Sequence, residues 1–412
     1  MKAVAHNTQL ALEGGTPLLT RPLAPWPSFE PDEVEAAAAV LRSGKVNYWT
    51  GSEGREFEKE FAGYVGRRHG VALANGTLAL ELALVVLDIG AGDEVVVPSR
   101  TFIATASCVA LRGARAVCAE VDRETGNMTA ETIRAVLTPK TKAIIPVHMS
   151  GWPCAMDAIM ALARERRLKV IEDCAQAHGA EYQGKPVGTF GDAAAFSFCQ
   201  DKIMTTGGEG GMLLLDDESA WKRAWSYKDH GKDYDRATAP KIGHSFLLVH
   251  TSFGTNWRLT EMQSALGRIL LRKLDARVEQ RRRNAAVLDA AFARLPALRV
   301  VRPKPGESCS YYKYYVYLVP EKLASGWKRE RVLEAINAEG VPCSTGGATE
   351  IYLEAAFPAQ WKPMHSGKTA HYPVARELGE TSLMFQVHST LTEADMRDVA
   401  AAVEKVLRVA SI

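Results

Sequence analysis

From residue 70 to residue 174 the chain alternates short apolar runs with helix-like stretches, and this rhythm constrains the fold more than any other feature. "GVALAN" (70–75) reads as a buried strand, and "GTLALELALVVLDIG" (76–90) as a helix that Gly90 stops. "DEVVVPS" is the next strand and "IATASCVALRG", closed by Gly113, the next helix. "RAVCAEVD", "TAETIRAVLT" opened by Thr129 with Pro139 just beyond it, "KAIIPVHM", "CAMDAIMALARERR" and "LKVIEDC" continue the pattern. Strands joined through helices pair in parallel, since the chain must return to the same end before the next strand starts. The expectation is an α/β fold with a mostly parallel sheet covered on both faces.

After residue 192 the rhythm changes. "AAAFSF" and "GMLLLD" read as consecutive strands with a loop between them. A helical stretch runs from Leu259 to about Leu295, with Met262, Leu266, Ile269, Leu270 and Leu274 at helical spacing for core or subunit packing. "SCSYYKYYVYLVP" and "SLMFQV" as strands, with "KRERVLEAINAEG" and "TEADMRDVAAAVEKVL" as helices, suggest a second, smaller α/β domain. At 412 residues the chain is long enough for both units. We divide it into an N-terminal arm (1–30), a large domain (31–260), and a long connecting helix with a small C-terminal domain (261–412). Residues 228–258 resist assignment, and a loop that long is often functional.

Composition removes several function classes. A net charge of +2 argues against a nucleic-acid surface, and the basic run "RVEQRRRN" (277–284) reads as a solvated helix face. Seven cysteines, at 108, 118, 154, 174, 199, 309 and 343, form no CxxC pair, and no HExxH occurs among the ten histidines. Neither a disulfide framework nor a metal site is expected, and a reducing cytoplasm fits. The opening "MKAVAHNTQLALEGG" has no apolar region of signal-peptide length, and no apolar run reaches the ~18 residues of a membrane span.

Three stretches can carry chemistry. Asn75-Gly76-Thr77 lies between a strand and a helix start, where free N–H groups and the helix dipole favour an anion; such junctions are also common without one. Glu172-Asp173 ends a buried strand, and ligands of open parallel sheets sit at carboxyl ends. A carboxylate there can hold a cation, a ribose hydroxyl or a ring nitrogen, or simply cap "CAQAHGA". Gln176 and His178 are close by, the histidine more naturally structural than catalytic. Lys202 sits between two apolar runs, five residues after Ser197 and just before glycines 207, 208, 210 and 211. In a dry pocket a lysine loses preference for its charged form and becomes a nucleophilic amine able to form an imine with an aldehyde. An anion nest, an acidic partner and a lysine together match the three handles of pyridoxal 5′-phosphate. Asp173 precedes Lys202 by 29 residues.

At this point the chain resembles the DegT/DnrJ/EryC1/StrS (sugar) aminotransferases of PLP fold type I. The resemblance runs from about Pro25 to the last helix, through "GREFEKEFAGYVGRRHGVALANGTLALELAL", "GDEVVVPSRTFIATA", "VIEDCAQAHGA", "GDAAAFSFCQDKIMTTGGEGGML" and "FGTNWRLTEMQSALGRIL". It implies a large PLP-binding domain with a mostly parallel seven-stranded sheet in an αβα sandwich. It implies that Lys202 joins the cofactor covalently and then shuttles protons, and that Asp173 keeps the ring nitrogen protonated. Gln176 would bond the ring's phenolic oxygen and Phe102 would stack on the ring. Gly76, Thr77 and Ser197 would hold the phosphate, and Asn256 would reach it from the neighbouring subunit of a homodimer. Arg258 and His388 are assigned to the substrate side, Arg258 for a carboxylate. Two departures stand out: "SFCQDK" where the family often has His-Pro before the lysine, and "FQVHST", which keeps His388 but lacks the family's following proline.

The implied activity is a cytoplasmic aminotransferase cycling between PLP and its amino form, PMP. It would move an amino group from L-glutamate or L-glutamine to a keto-sugar, nucleotide-linked, for polysaccharide or secondary-metabolite synthesis. A keto-cyclitol (scyllo-inosose type) aminotransferase shares every cofactor residue. A sugar dehydratase of the family would carry histidine at 202, and a non-catalytic sensor would have no need of the lysine, aspartate and glutamine together.

Overall fold

The computed structural model describes residues 9–239, 248–347, 349–365 and 368–412. The first eight residues of the N-terminal arm and residues 240–247 of the unassigned 228–258 stretch lie outside the described residues. The alternating segments form a seven-stranded sheet: β1 (His69–Leu73), β2 (Glu94–Pro98), β3 (Arg115–Ala119), β4 (Thr141–Ile144), β5 (Lys169–Asp173), β6 (Ala193–Ser197) and β7 (Gly211–Leu215). Their order is β1-β7-β6-β5-β4-β2-β3. All neighbours pair in parallel except β7, which is antiparallel to β1 and β6. The reason is local: β6 and β7 are joined by the Lys202 loop, which contains no crossover helix, so the chain turns back on itself.

Both faces of the sheet are dry. Val71, Leu73, Leu213 and Leu215 point to the face covered by α3 (Gly76–Val86) and α4 (Ala104–Leu111). Ala72, Ala194, Phe196, Met212 and Leu214 point to the other, with Phe57, Phe61 and Val65 of α2 (Glu53–Val65), the helix that follows α1 (Pro31–Ser43) in the chain. Spacing of those three at i, i+4 and i+8 marks α2 as amphipathic. The expected helix from 76 to 90 stops earlier, at Val86.

The helical stretch from Leu259 is two helices, α5 (Glu261–Arg272) and α6 (Leu274–Phe292), meeting at Lys273. Leu266, Leu270 and Leu271 of α5 pack on the large sheet's cluster, whereas Ala285, Leu288 and Phe292 of α6 pack on a second core. The apolar partner changes inside α6, since Leu274 and Val278 still pack on the large sheet's cluster and Ala285 is the first of its residues on the second core. That second core covers an antiparallel sheet of β8 (Leu298–Arg299), β9 (Tyr314–Leu318), β10 (Cys343–Ser344) and β11 (Ser382–Phe385), ordered β8-β9-β11-β10. No helix among the described residues is long and apolar enough to cross a membrane.

One buried polar cluster ties α2 to the strand it precedes. Glu58 accepts from Lys228 Nζ (2.8 Å), from the Ala72 N–H (2.8 Å) and from the Tyr48 hydroxyl (3.0 Å). Lys228 is fully buried. Glu58→Ala strands that ammonium and is expected to cost about 3–5 kcal/mol, while a Glu58→Met, Lys228→Met double variant recovers most of the loss. Thermal unfolding checks this; a single variant as stable as the wild type contradicts it.

Candidate active site

The site gathers at the carboxyl edge of the large sheet. Leu73 and Ser197 both pair with Gly211, and Asp173 pairs with Ala195, so the ends of β1, β5 and β6 lie side by side. After β1 the chain turns into α3, with Asn75 as N-cap accepting from the Leu78 N–H at 3.0 Å. The first amides, at Gly76 and Thr77, have no intrahelical acceptor and face outward with the positive end of the helix dipole. Ser197 lies directly against them: a Cβ on Gly76 would sit 2.6 Å from Ser197 Cβ and 3.0 Å from its Cα. Only glycine permits this approach. Gly76→Ala forces a shift costing about 1–3 kcal/mol in the cradle, so affinity for a phosphate-bearing ligand is expected to fall about tenfold or more. Titrating the ligand-free protein with pyridoxal phosphate measures it, and unchanged affinity would show that the cradle is not where the phosphate sits.

Asp173 closes the opposite side. It is 5% exposed; its Oδ2 accepts from Thr105 Oγ1 (3.0 Å) and its Oδ1 from the Ala175 N–H (3.1 Å). Burial pushes this carboxyl above its ordinary range, and these two bonds, with the charges of His148 and Lys202, offset only part of the effect. A buried acid held up in this way lacks a cation at close range, and a protonated ring nitrogen supplies one. Glu172, its neighbour, faces the other way, with His148 and the amides of Gly188, Phe190 and Gly191 as partners. Of the two carboxylates, Asp173 is the one turned to the edge and Glu172 is structural.

Lys202 is mostly covered, and its amine has polar partners. Its side chain is 18% exposed, its Nζ lies 3.3 Å from Asp201 Oδ1 and 3.1 Å from the Tyr312 hydroxyl, and Tyr312 in turn bonds Asp201. Burial pushes Asp201 up, but the charge of Lys202 and the Tyr312 bond outweigh it and hold the carboxyl below its usual range. Burial drives the Tyr312 phenol far upward, so it stays protonated. The amine is therefore held by charge and hydrogen bonding to Asp201 and Tyr312. The Trp26 indole N–H of the N-terminal arm donates to the Lys202 carbonyl at 3.0 Å and fixes the loop.

The other predicted residues divide. The Gln176 side-chain oxygen accepts from the Ser150 N–H at 2.8 Å, which leaves the amide nitrogen as the group able to donate. Phe102, in the loop between β2 and α4 and three residues from Thr105, is 68% exposed, so it is open to a ligand. Asn256 is exposed. Arg258 is committed elsewhere: its Nη1 lies 2.7 Å from Asp229, a fully buried carboxylate that also holds Lys232 and the Trp49 indole. His388 is buried, stacked on Trp26 at 5.9 Å and bonded to Thr390; burial, then Arg281 and Lys313, bring it down to about 3, so it is neutral. His178 packs among Phe61, Phe196 and Phe198 and is likewise held near 3 by burial first, as a structural histidine.

Asp201, Tyr312, Thr105 and Trp26 were not singled out from the sequence. Asp201 had a signal, since it sits inside the "SFCQDK" departure. The tyrosines of "SYYKYYVYLVP" read only as a strand.

An anion at the Gly76–Ser197 cradle, a ring N–H at Asp173 and a carbonyl carbon at Lys202 would each meet a complementary group. The model of the DegT/DnrJ/EryC1/StrS aminotransferase family matches residues 27–404. GDP-perosamine synthase of Caulobacter vibrioides is 37% identical over 363 residues, covering 87% of this chain and 92% of that protein. The L-glutamine:2-deoxy-scyllo-inosose aminotransferase of Streptoalloteichus tenebrarius is 36% identical over 418 residues, covering 97% of each. Among solved structures, an aminotransferase from Psychrobacter cryohalolentis superposes with a TM-score of 0.90 at 50% identity, over 94% of this chain and 99% of that one.

Proposed function

Because this chain belongs to the DegT/DnrJ/EryC1/StrS aminotransferase family, we propose that it transfers an amino group from L-glutamate or L-glutamine to a keto group on a nucleotide-linked sugar. It is an aminotransferase of PLP fold type I, and its cofactor is pyridoxal 5′-phosphate. The observation that carries the reading is the joint placement of the Gly76–Ser197 cradle, the Asp173 carboxylate and the Lys202 amine at one sheet edge.

Bound there, the cofactor supplies an aldehyde for amino groups and a ring that takes up the electron pair left when an α-proton departs. The chain's own residues do the rest. Gly76, Thr77 and Ser197 bind the phosphate through amides and hydroxyls. Asp173 holds a proton on the ring nitrogen, and Thr105 and Ala175 keep its carboxylate aimed. Phe102 would cover one face of the ring, and the Gln176 amide would donate to the phenolic oxygen. The amine of Lys202, once free, takes the α-proton of the amino donor and delivers it again, at a distance set by Asp201 and Tyr312.

The assembly we propose is a homodimer with shared active sites. Phe253 is 99% exposed and Leu248 85% exposed, a few residues before Asn256 in the chain, and a second copy covering this segment would bury them. Asn256 would then reach the partner's phosphate cradle. A cytoplasmic setting agrees with seven free cysteines.

A second reading rests on coverage. The similarity to the deoxy-scyllo-inosose aminotransferase spans 97% of both chains. One screen separates the two. The enzyme in its amino form is offered keto-sugar nucleotides and keto-cyclitols, and return of the aldehyde-form absorbance is followed. Response to a keto-sugar nucleotide supports the first reading; turnover of inososes alone transfers the assignment to the second.

A further inference from the structure

A guanidinium sealed inside a protein without a counter-charge costs several kcal/mol, so its presence asks what it waits for. Arg100 follows β2 and Ser99 at the sheet's carboxyl edge and is 1% exposed. Its Nε and Nη2 have no hydrogen-bond partner among the described residues, and its contact is the face of Tyr315 at 5.3 Å. It lines a narrow cavity of about 20 Å³ together with Ser150, Tyr311, Tyr315 and Lys313. Ser150 is 7% exposed, its Oγ is also without a partner among the described residues, and its backbone is held at φ 56°. Lys313 donates to Gln386 at 3.1 Å and lies over Tyr312 at 4.8 Å. The one carboxylate in the lining, Glu124, is half exposed and lies toward Arg299, 3.5 Å away.

This cavity adjoins the reacting groups from two sides. Ser150 donates its N–H to Gln176, and Lys313 follows Tyr312, which holds the Lys202 amine. We propose that Arg100, Ser150 and Lys313 seat a substrate carboxylate beside Lys202. The proposal rests on the aminotransferase reading and takes over the role first given to Arg258, which Asp229 occupies. The cavity has room for one or two water-sized groups, so only an anionic head enters and the remainder of the substrate stays outside. Guanidinium and hydroxyl donors suit a carboxylate, whose two oxygens accept several bonds at once. Lys313 agrees: burial first, then the charges of Arg281 and Lys202, hold its ammonium below the usual lysine range, against a single nearby carboxylate, Asp201.

The carboxylate can come from the amino donor or from an acidic acceptor sugar, and the two half-reactions tell them apart. The cofactor-loaded enzyme, its Arg100→Gln and its Arg100→Lys variants are titrated with L-glutamate, following loss of the aldehyde-form spectrum. Their amino forms are titrated with keto-sugar nucleotides bearing either a C6 carboxylate or a C6 hydroxymethyl group. Glutarate serves as a non-reacting competitor. Arg100→Gln is expected to weaken the carboxylate-bearing ligand about tenfold to a hundredfold, with partial rescue by Arg100→Lys. Loss in the glutamate arm, with weaker glutarate, assigns the donor. Loss with the acidic acceptor alone assigns the acceptor. Variants within about twofold of wild type in every arm overturn the proposal, as does equal loss with the hydroxymethyl acceptor. Should Arg100→Gln not fold, Arg100→Met decides: a ligand-free variant melting no lower than wild type supports a guanidinium kept for binding, and a large drop makes Arg100 structural and overturns it. A wild-type protein that takes up no pyridoxal phosphate sinks the aminotransferase reading; a loaded enzyme indifferent to Arg100 sinks only this inference.

Discussion

Lys202→Ala is expected to lower kcat by about 10⁴-fold or more and to let the cofactor leave on gel filtration. Two functions go at once, the covalent hold and the proton carrier, and nothing nearby replaces either. Asp201, the closest carboxylate, loses in this variant the ammonium that holds it down, yet a carboxylate near its ordinary range is still too weak a base for an α-proton. Tyr312 stays protonated because burial raises it. Lys202→Arg keeps the positive charge against Asp201 and Tyr312, so it should fold as the wild type does and still be inactive. An alanine variant within about tenfold of wild-type kcat would show that another group moves the proton.

The second large effect belongs to Asp173→Asn. The amide keeps the shape and the contacts to Thr105 and Ala175 but cannot hold a proton on a ring nitrogen. We expect kcat to fall by about 10²–10³-fold with the cofactor still bound through Lys202 and the cradle. Stability should move the opposite way. Burial raises this carboxyl above its ordinary 3.8, so in the ligand-free protein its ionised form is destabilising, and the penalty grows as pH rises above 3.8. Ligand-free Asp173→Asn should therefore melt at or above wild type at neutral pH, and the gap should narrow as pH falls toward 3.8. Equal activity of the two proteins would remove Asp173 from the ring nitrogen.

The alternation from residue 70 was enough to foresee the sheet and its parallel core, because strand-helix-strand spacing leaves few ways to connect. It could not show the order of the strands, nor that β7 runs against its neighbours until the helix-free loop is seen to close on itself. The gathering of Gly76, Ser197, Asp173 and Lys202 at one sheet edge was legible because each sits within a few residues of a strand end. The ion pair of Arg258 was not legible, because its partner, Asp229, is 29 residues away in a stretch with no periodic signal. The pairing of Tyr312 with Lys202 spans 110 residues and joins the two sheets' territories, which local pattern does not encode. Arg100 carries no signal in the sequence beyond a charge after a strand; what marks it is burial with Nε and Nη2 unpartnered among the described residues.

The most direct test of the whole account is chemical trapping. The cofactor-loaded protein is reduced with borohydride, digested and weighed peptide by peptide. A pyridoxyl group fixed on the peptide that contains Lys202 is the predicted result. An unmodified Lys202 peptide, or the label on a different lysine, contradicts it.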